Sequence, residues 1–253
     1  MMWLLQTKCI MIKNIKDNIL ITICAKGNSK GLKNKNIRNF YKQPLINHAV
    51  NKVLGNGFKF ICVSTDSKNI QNIVKKKGIK TFFTRSKKLT GSNVAKEDVW
   101  NDAIIKSQNH FKKKFEYFLD IEVTNPLLTK KDLNKFLKKF FSIKNYKKLN
   151  GAFYVCPARK SPYFNILKKK KTGFEVCIKL KGKNIFSRQK SPQTYEHVAG
   201  FYLFKTKYIL NNKNNNIFSK DVVGFEIPFH KTIDIDSKED FLLSKIIYKY
   251  FKL

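Results

Sequence analysis

The stretch Ile19-Leu20-Ile21-Thr22-Ile23-Cys24, running straight into Ala25-Lys26-Gly27-Asn28-Ser29-Lys30-Gly31-Leu32-Lys33-Asn34-Lys35-Asn36, decides the reading of this chain. Its first six residues are apolar or β-branched almost without interruption. That is the pattern of a strand buried on both faces, as in parallel sheets. The loop behind it carries glycines at 27 and 31, which allow φ > 0 and close backbone approach. Consecutive N–H groups can then converge on phosphate oxygens, with Lys26, Lys30 and Lys35 supplying charge at the same place. A nucleoside triphosphate suits such a loop. Its spacing is neither GxxxxGK[ST] nor GxGxxG, so taken alone it reads equally as a lysine-rich surface turn.

Working outward, strand-like runs alternate with helical patterns. After Ile19 to Cys24 comes a helix over Pro44 to Leu54. Phe58 to Ser64 precedes a helix over Lys68 to Lys77, and Thr81 to Thr84 precedes one over Glu97 to Ser107. Tyr117 to Ile121 leads to a helix over Lys130 to Phe140, then Gly151 to Cys156. This alternation predicts an α/β fold, a mostly parallel sheet with helices on both faces. Ligands of such sheets bind beyond the carboxyl ends of the strands, where the glycine-lysine loop falls. Between Pro157 and Pro192 the rhythm breaks. Phe174 to Leu180 and Asn184 to Arg188 read as a hairpin joined by Lys181-Gly182-Lys183, an excursion suited to a lid or a dimer arm. Phe174, Val176 and Ile178 there alternate with polar neighbours, as in a strand with one buried face. The core resumes with Gly200 to Phe204, Val222 to Ile227, Lys231 to Asp236 and a helix from Lys238 to Tyr250. Residues 1–17 read as an extension with Met11 as an alternative start, and 18–253 as a single domain.

Composition bounds the partners. The chain has 253 residues, 42% of them hydrophobic, with 52 Lys and Arg against 17 Asp and Glu, a formal charge of +35. Such charge invites nucleic acid. Only Arg38, Arg85, Arg159 and Arg188 carry the forked guanidinium, and the lysines spread through every segment alongside abundant Asn, Ile and Phe. All of these have AT-rich codons, so base bias accounts for the charge, and no nucleic-acid partner is expected. Five cysteines without a CxxC pair exclude a disulfide framework or zinc site and fit a reducing cytoplasm. Cys24, Cys62 and Cys156 sit in apolar runs as small hydrophobes. No apolar run approaches the ~20 residues of a membrane span.

The second chemical feature is Thr232-Ile233-Asp234-Ile235-Asp236. On a strand, Asp234 and Asp236 would face one way, roughly 7 Å apart, and share a hydrated Mg²⁺. The alternative is an edge strand with a solvated acidic face. Acid is scarce in this chain, which favours the first.

Taken in order, the motifs resemble a known family. They are Ala-x-x-x-Ser-Lys-Gly-x-x-x-Lys-Asn at 25–36, Pro44-Leu45-Ile46-Asn47-His48, Val63-Ser64-Thr65-Asp66, Arg85, Thr124-Asn125-Pro126-Leu127, Ser161-Pro162-Tyr163, Arg188-Gln189 and Ile233-Asp234-Ile235-Asp236. The series resembles the acylneuraminate cytidylyltransferases, the CMP-sialic acid synthetases and their relatives for other nonulosonic acids, over about residues 18 to 250. The resemblance implies a Rossmann-like, GT-A-like nucleotidyltransferase. In it, the anomeric hydroxyl of an acidic 2-keto sugar attacks the α-phosphorus of CTP, giving a CMP-sugar and pyrophosphate. By the same resemblance, Ala25, Lys26, Asn28, Ser29, Lys30, Gly31, Lys35, Asn36 and Arg85 would bind the nucleotide, with Lys30 and Lys35 on the triphosphate. Glu122, Arg188, Gln189, Tyr202 and Phe218 would meet the sugar, Arg188 gripping its carboxylate. Asp234 and Asp236 would hold Mg²⁺ or Mn²⁺. Lys30, Asp234 and Arg188 would be the catalytic set. The excursion would form a homodimer whose arm reaches the neighbour's sugar site.

The chain departs from the family at several points. Lys26 stands where arginine is usual. The usual Gln-Pro-Thr-Ser-Pro-Leu-Arg reads Glu122-Val123-Thr124-Asn125-Pro126-Leu127-Leu128, which sets a carboxylate near an acidic substrate. Glu196-His197-Val198 replaces an expected arginine or asparagine. Tyr202 and Phe218 read equally as core aromatics, His48 as a packed helix residue, and Asp66 as a helix cap or a contact. The rivals are a CMP-Kdo synthetase-like enzyme, a basic nucleic-acid-binding protein, and a fold-retaining module without turnover.

Overall fold

A computed structural model describes residues 15–29, 31–182, 185–212 and 216–253. Its centre is a six-stranded sheet in the order β10-β6-β9-β5-β1-β4. The strands are β1 (Ile19–Cys24), β4 (Ile61–Ser64), β5 (Tyr117–Ile121), β6 (Gly151–Pro157), β9 (Tyr195–Lys205) and β10 (Val222–Glu226), while the two-residue strands β2 (Asn39–Phe40) and β3 (Gln43–Pro44) pair with each other outside this sheet. β1 runs parallel to β4 and β5, and β6 parallel to β10. β9 lies antiparallel between β5 and β6. The predicted mostly parallel sheet is therefore observed, with β9 the reversed strand. Because five strands point one way, Cys24, Ser64, Ile121, Pro157 and Glu226 end at one edge, where β9 begins.

Both faces of the sheet are covered. Ile19, Ile21 and Ile23 enter one apolar cluster with helix α1 (Leu45–Val53), α2 (Lys68–Lys75) and α4 (Lys130–Phe141). Leu20 enters the other, with Trp100 and Ala103 of α3 (Lys96–Phe111) and Ile209 of α5 (Thr206–Leu210). Period-two alternation of a two-sided strand is what divides them. α4 and the closing helix α6 (Lys238–Tyr250) each begin with a capping box, Thr129 with Asp132 and Ser237 with Asp240, so both starts are locally encoded. His48 packs at the α1 face as expected, its Nε2 2.9 Å from Phe40 O.

Four expectations need correction. Thr81–Thr84 forms no strand: β4 is the sheet edge, and half-buried Phe82 instead stacks on His110 at 4.1 Å, held by aromatic packing without a ladder. Lys231–Asp236 is not a strand either. Its Ile235 N–H donates to Thr124 O (2.9 Å) and Ile235 O accepts from Lys35 Nζ (2.6 Å), so a loop and a side chain take the bonds a ladder would use. The hairpin of the excursion lies earlier than expected, between β7 (Leu167–Lys169) and β8 (Phe174–Val176), with Gly173 at φ 76° in its turn. Arg188 opens a 3₁₀ turn, and residue 183 of the expected turn and residue 184 of the expected second strand lie outside the described residues. Finally, Gly27 does not use the positive φ open to it, while the close backbone approach also expected of both glycines is found. A Cβ on Gly27 would meet Ser67 Cβ at 2.8 Å, and one on Gly31 would meet Asp236 O at 2.3 Å.

Candidate active site

The loop after β1 is held in shape by its own surroundings. Ala25 N–H continues the β1 ladder to Ser64 O (3.0 Å), and Gly27 N–H donates to Asp66 Oδ1 (2.7 Å). Asp66 is thus a loop contact, while Ser67 caps α2 by accepting from Ile70 N–H. Buried Asn36 closes the loop from the far side, Nδ2 to Lys26 O at 2.9 Å. Ser29 is buried, Lys26 half-buried and Asn28 exposed; Lys30 lies outside the described residues. Gly31 brings the loop onto the backbone of Asp236, and Lys35 fastens the same joint, with Nζ 2.6 Å from Ile235 O and 2.8 Å from Asp236 Oδ1. Lys35 therefore serves the aspartate segment as well as the loop. Arg85 anchors at the end of β4, Nε to Ser64 Oγ (3.0 Å) and Nη2 to Ser64 O (2.5 Å), buried beside the same edge.

The two aspartates occupy different surroundings, contrary to the expectation of one shared strand face. Asp236 is 76% exposed at its side chain and paired with Lys35. Asp234 is largely buried, and its Oδ1 has no hydrogen-bond partner among the described residues. Burial, then the nearby Glu122, push its carboxyl up to about 6. The segment after β5 sets this geometry. Glu122 N–H donates to Gly200 O (2.8 Å), where a bulge in β9 shifts its register with β6 between Phe153 and Tyr154. Residues 123–128 form a buried loop, whose polar groups Asn125 satisfies. Its Nδ2 donates to Ala199 O and Lys231 O, both 2.9 Å, and its Oδ1 accepts from Leu127 N–H. Lys52 Nζ reaches Asn125 O at 2.7 Å, and burial lowers that ammonium to about 7.

Beside Asp234 stands a network the sequence did not reveal. Glu122 is ion-paired with Lys96 Nζ, which also lies 3.4 Å from Asp120 Oδ2 and 4.2 Å from the Tyr202 ring centroid. Asp120 is fully buried in β5 and accepts from Thr22 Oγ1 at 2.7 Å. Burial pushes the Asp120 carboxyl up against the opposing pull of Lys96. Burial works against the Lys96 charge too, but Glu122, Tyr202 and Asp120 outweigh it and hold the ammonium well above the usual lysine range. Tyr202 is buried and Phe218 half exposed; both rings pack on His197, with centroids 5.3 and 5.4 Å away. Lys96 thus joins Glu122 to Tyr202, and His197 joins Tyr202 to Phe218. Arg188 and Gln189 do not join them. They line a separate cavity of about 1060 Å³ with Arg159, Glu226 and Phe229, where exposed Arg188 donates to Arg159 O (3.0 Å).

Among the described residues no three His, Cys, Asp or Glu side chains gather as a metal centre. Two carboxylates, one of them with an unpartnered oxygen, nevertheless fit a hard cation such as Mg²⁺, which commonly takes one or two carboxylates and fills its shell with water and substrate phosphate. Cys24, Cys62, Cys156 and Cys177 are free thiols, and burial raises the first three, Cys62 to about 12, which makes those three poor nucleophiles. No helix among the described residues is long and apolar enough to cross a membrane.

A glycine-tightened loop, a buried arginine and an acidic segment meeting at the carboxyl edge of a mostly parallel sheet define a nucleotidyltransferase. The family model described as cytidylyltransferase matches residues 20–250. The chain belongs to that family, among its CMP-nonulosonic acid synthetases, and is an enzyme. It is 35% identical over 230 residues to a CMP-N,N'-diacetyllegionaminic acid synthase of Campylobacter jejuni, covering 90% of this chain and 94% of that one. It is 33% identical over 232 residues to post-translational flagellin modification protein B of Campylobacter coli, covering 91% and 95%. A solved CMP:2-keto-3-deoxy-manno-octonic acid synthetase complexed with CTP superposes with a TM-score of 0.60 at 15% identity over 93% of this chain and 99% of that one, a likeness of fold.

Proposed function

We propose that the protein transfers CMP from CTP to the anomeric hydroxyl of a nonulosonic acid in the cytoplasm. The hydroxyl oxygen bonds to the α-phosphorus as the bond to the pyrophosphate leaving group breaks. The observation that carries this reading is the joint at Gly31, where the loop suited to phosphates lies directly on the Asp234–Asp236 segment. Reacting phosphate and carboxylates are thereby held together with little freedom, which suits a reaction driven by positioning and charge neutralisation. The loop from Ala25 to Asn36, with Lys26, Lys30 and Lys35, takes the triphosphate. Arg85 and Asn36 help to hold the nucleoside. Glu122, Tyr202 and Phe218 border the sugar. Asp234 and Asp236 hold Mg²⁺ or Mn²⁺, which neutralises phosphate charge when bound.

Arg188 enters this reading through a second subunit. Its cavity shares no lining residue with the Glu122 cluster, and the excursion carries exposed apolar side chains, Phe174 at 69% and Phe186 at 79% among them, with Leu167 and Ile178. A homodimer in which this segment crosses the interface covers those side chains and brings Arg188 to the partner's sugar. Pyrophosphate release from CTP and Mg²⁺ with a panel of nonulosonic acids, Kdo included, tests the reaction. Turnover with a nonulosonic acid is expected, and turnover with Kdo alone would overturn the substrate assignment.

A further inference from the structure

The Lys96–Glu122 pair is unexplained by the fold. Lys96 is the first residue of α3, where the positive end of the helix dipole disfavours a cation. Glu97 and Asp98, next in the same turn, supply the charge a helix start prefers. Lys96 instead turns its ammonium onto Glu122 and Asp120, over the rings of Tyr202 and Trp100. Without it, Asp120 and Glu122, both reached by the one ammonium, would be left as two uncompensated carboxylates beside the residues assigned to the sugar. Lys96 keeps a third of its side chain exposed, so the pair borders open space.

Resting on the function proposed above, we propose that Lys96 is a specificity-determining residue: by neutralising Glu122 it lets the carboxylate of the sugar acid approach, while Glu122 reads a donor on that sugar. One Glu122 oxygen faces Lys96, and the other lies 3.5 Å from Thr124 Oγ1. An ionised carboxylate only accepts hydrogen bonds, so the group it reads is an amide N–H or a hydroxyl. The backbone bond from Glu122 to Gly200 fixes where that acceptor stands. The chain thus meets an acidic, donor-bearing sugar with a closed ion pair in place of a neutral side chain.

A double-mutant cycle on the full chain tests this, with KM for the sugar acid and for CTP read from pyrophosphate release. Lys96→Met leaves Glu122 uncompensated and should raise KM for the acid by about tenfold or more, with KM for CTP changed by less than about twofold. Adding Glu122→Gln to Lys96→Met removes the stray charge and should recover most of that loss. Lys96→Arg, which keeps the charge, should stay closer to wild type than Lys96→Met. Additive losses in the double variant, or an equal rise in both KM values, would overturn the inference while leaving the proposed reaction intact. A wild-type protein inactive on every nonulosonic acid would overturn both. Should Lys96→Met fail to fold, the charge-neutral double variant and Lys96→Arg still decide the question.

Discussion

Asp234→Asn should stabilise the protein while nearly abolishing its turnover. The structure lifts this carboxyl from 3.8 to about 6, first by burial and then by the proximity of Glu122. The native state therefore binds a proton more readily than the unfolded chain, and the protein loses stability as pH rises from ~4 through ~6. At ~1.4 kcal/mol per pH unit, holding Asp234 ionised above that window costs up to about 3 kcal/mol. Asparagine has the same shape and no charge. For a chain of this size ~2–4 °C accompanies each kcal/mol, so the melting temperature of the variant at pH 8, measured with chelator, should exceed wild type by up to about 10 °C. At pH 4 the two should melt together. Added Mg²⁺ should raise the melting temperature of wild type more than that of the variant, since a cation bound to the native state alone stabilises it. Loss of the carboxylate proposed to hold the metal should cost turnover 10³-fold or more, equivalent to ~4 kcal/mol. Equal melting curves at pH 8, or wild-type turnover in Asp234→Asn, would refute the account of this site.

Gly31→Ala places a methyl group 2.3 Å from Asp236 O, which is backbone and has little room to give. An overpacking penalty of about 1–3 kcal/mol and a turnover loss approaching 10²-fold are expected in thermal melts and pyrophosphate assays; a fully active, fully stable variant would show that the loop and the aspartate segment need not touch. Light scattering at micromolar concentration should give twice the chain mass. Mixing inactive Arg188→Ala with inactive Asp234→Asn should restore activity through mixed dimers, and no restoration, or an active monomer, would count against the shared site.

How much of this was legible in the sequence follows from how local each signal is. β1, β5, α4 and α6 were readable because two-sided apolar runs, helical period and capping boxes are written within a few residues. Thr232–Asp236 misled because alternation describes side chains and says nothing about whether a neighbouring backbone is available. Here the available partners were Thr124 O and Lys35 Nζ, the latter 200 positions away. At Gly27 and Gly31 the sequence allows both a positive φ and a close backbone approach; the close approach is what the structure uses, and the groups approached, Ser67 and Asp236, are too distant in sequence to be read locally.

Lys96 shows the limit most clearly. In a chain with 52 basic residues, one more lysine at a helix start carries no local signal. Its meaning depends on Asp120 in a strand and Glu122 just beyond that strand's end, 24 and 26 residues further on, and on Tyr202 from the antiparallel strand paired beside Asp120. The departure at Glu122 was visible in the sequence as a charge in the wrong place for an acidic substrate. The fold removes the conflict by supplying the opposite charge from another element. A substitution of Gln for Glu122 in this chain is therefore not a return to the family's usual arrangement: with Lys96 still present it would leave a cation short of one partner, and only the two changes made together would restore neutrality.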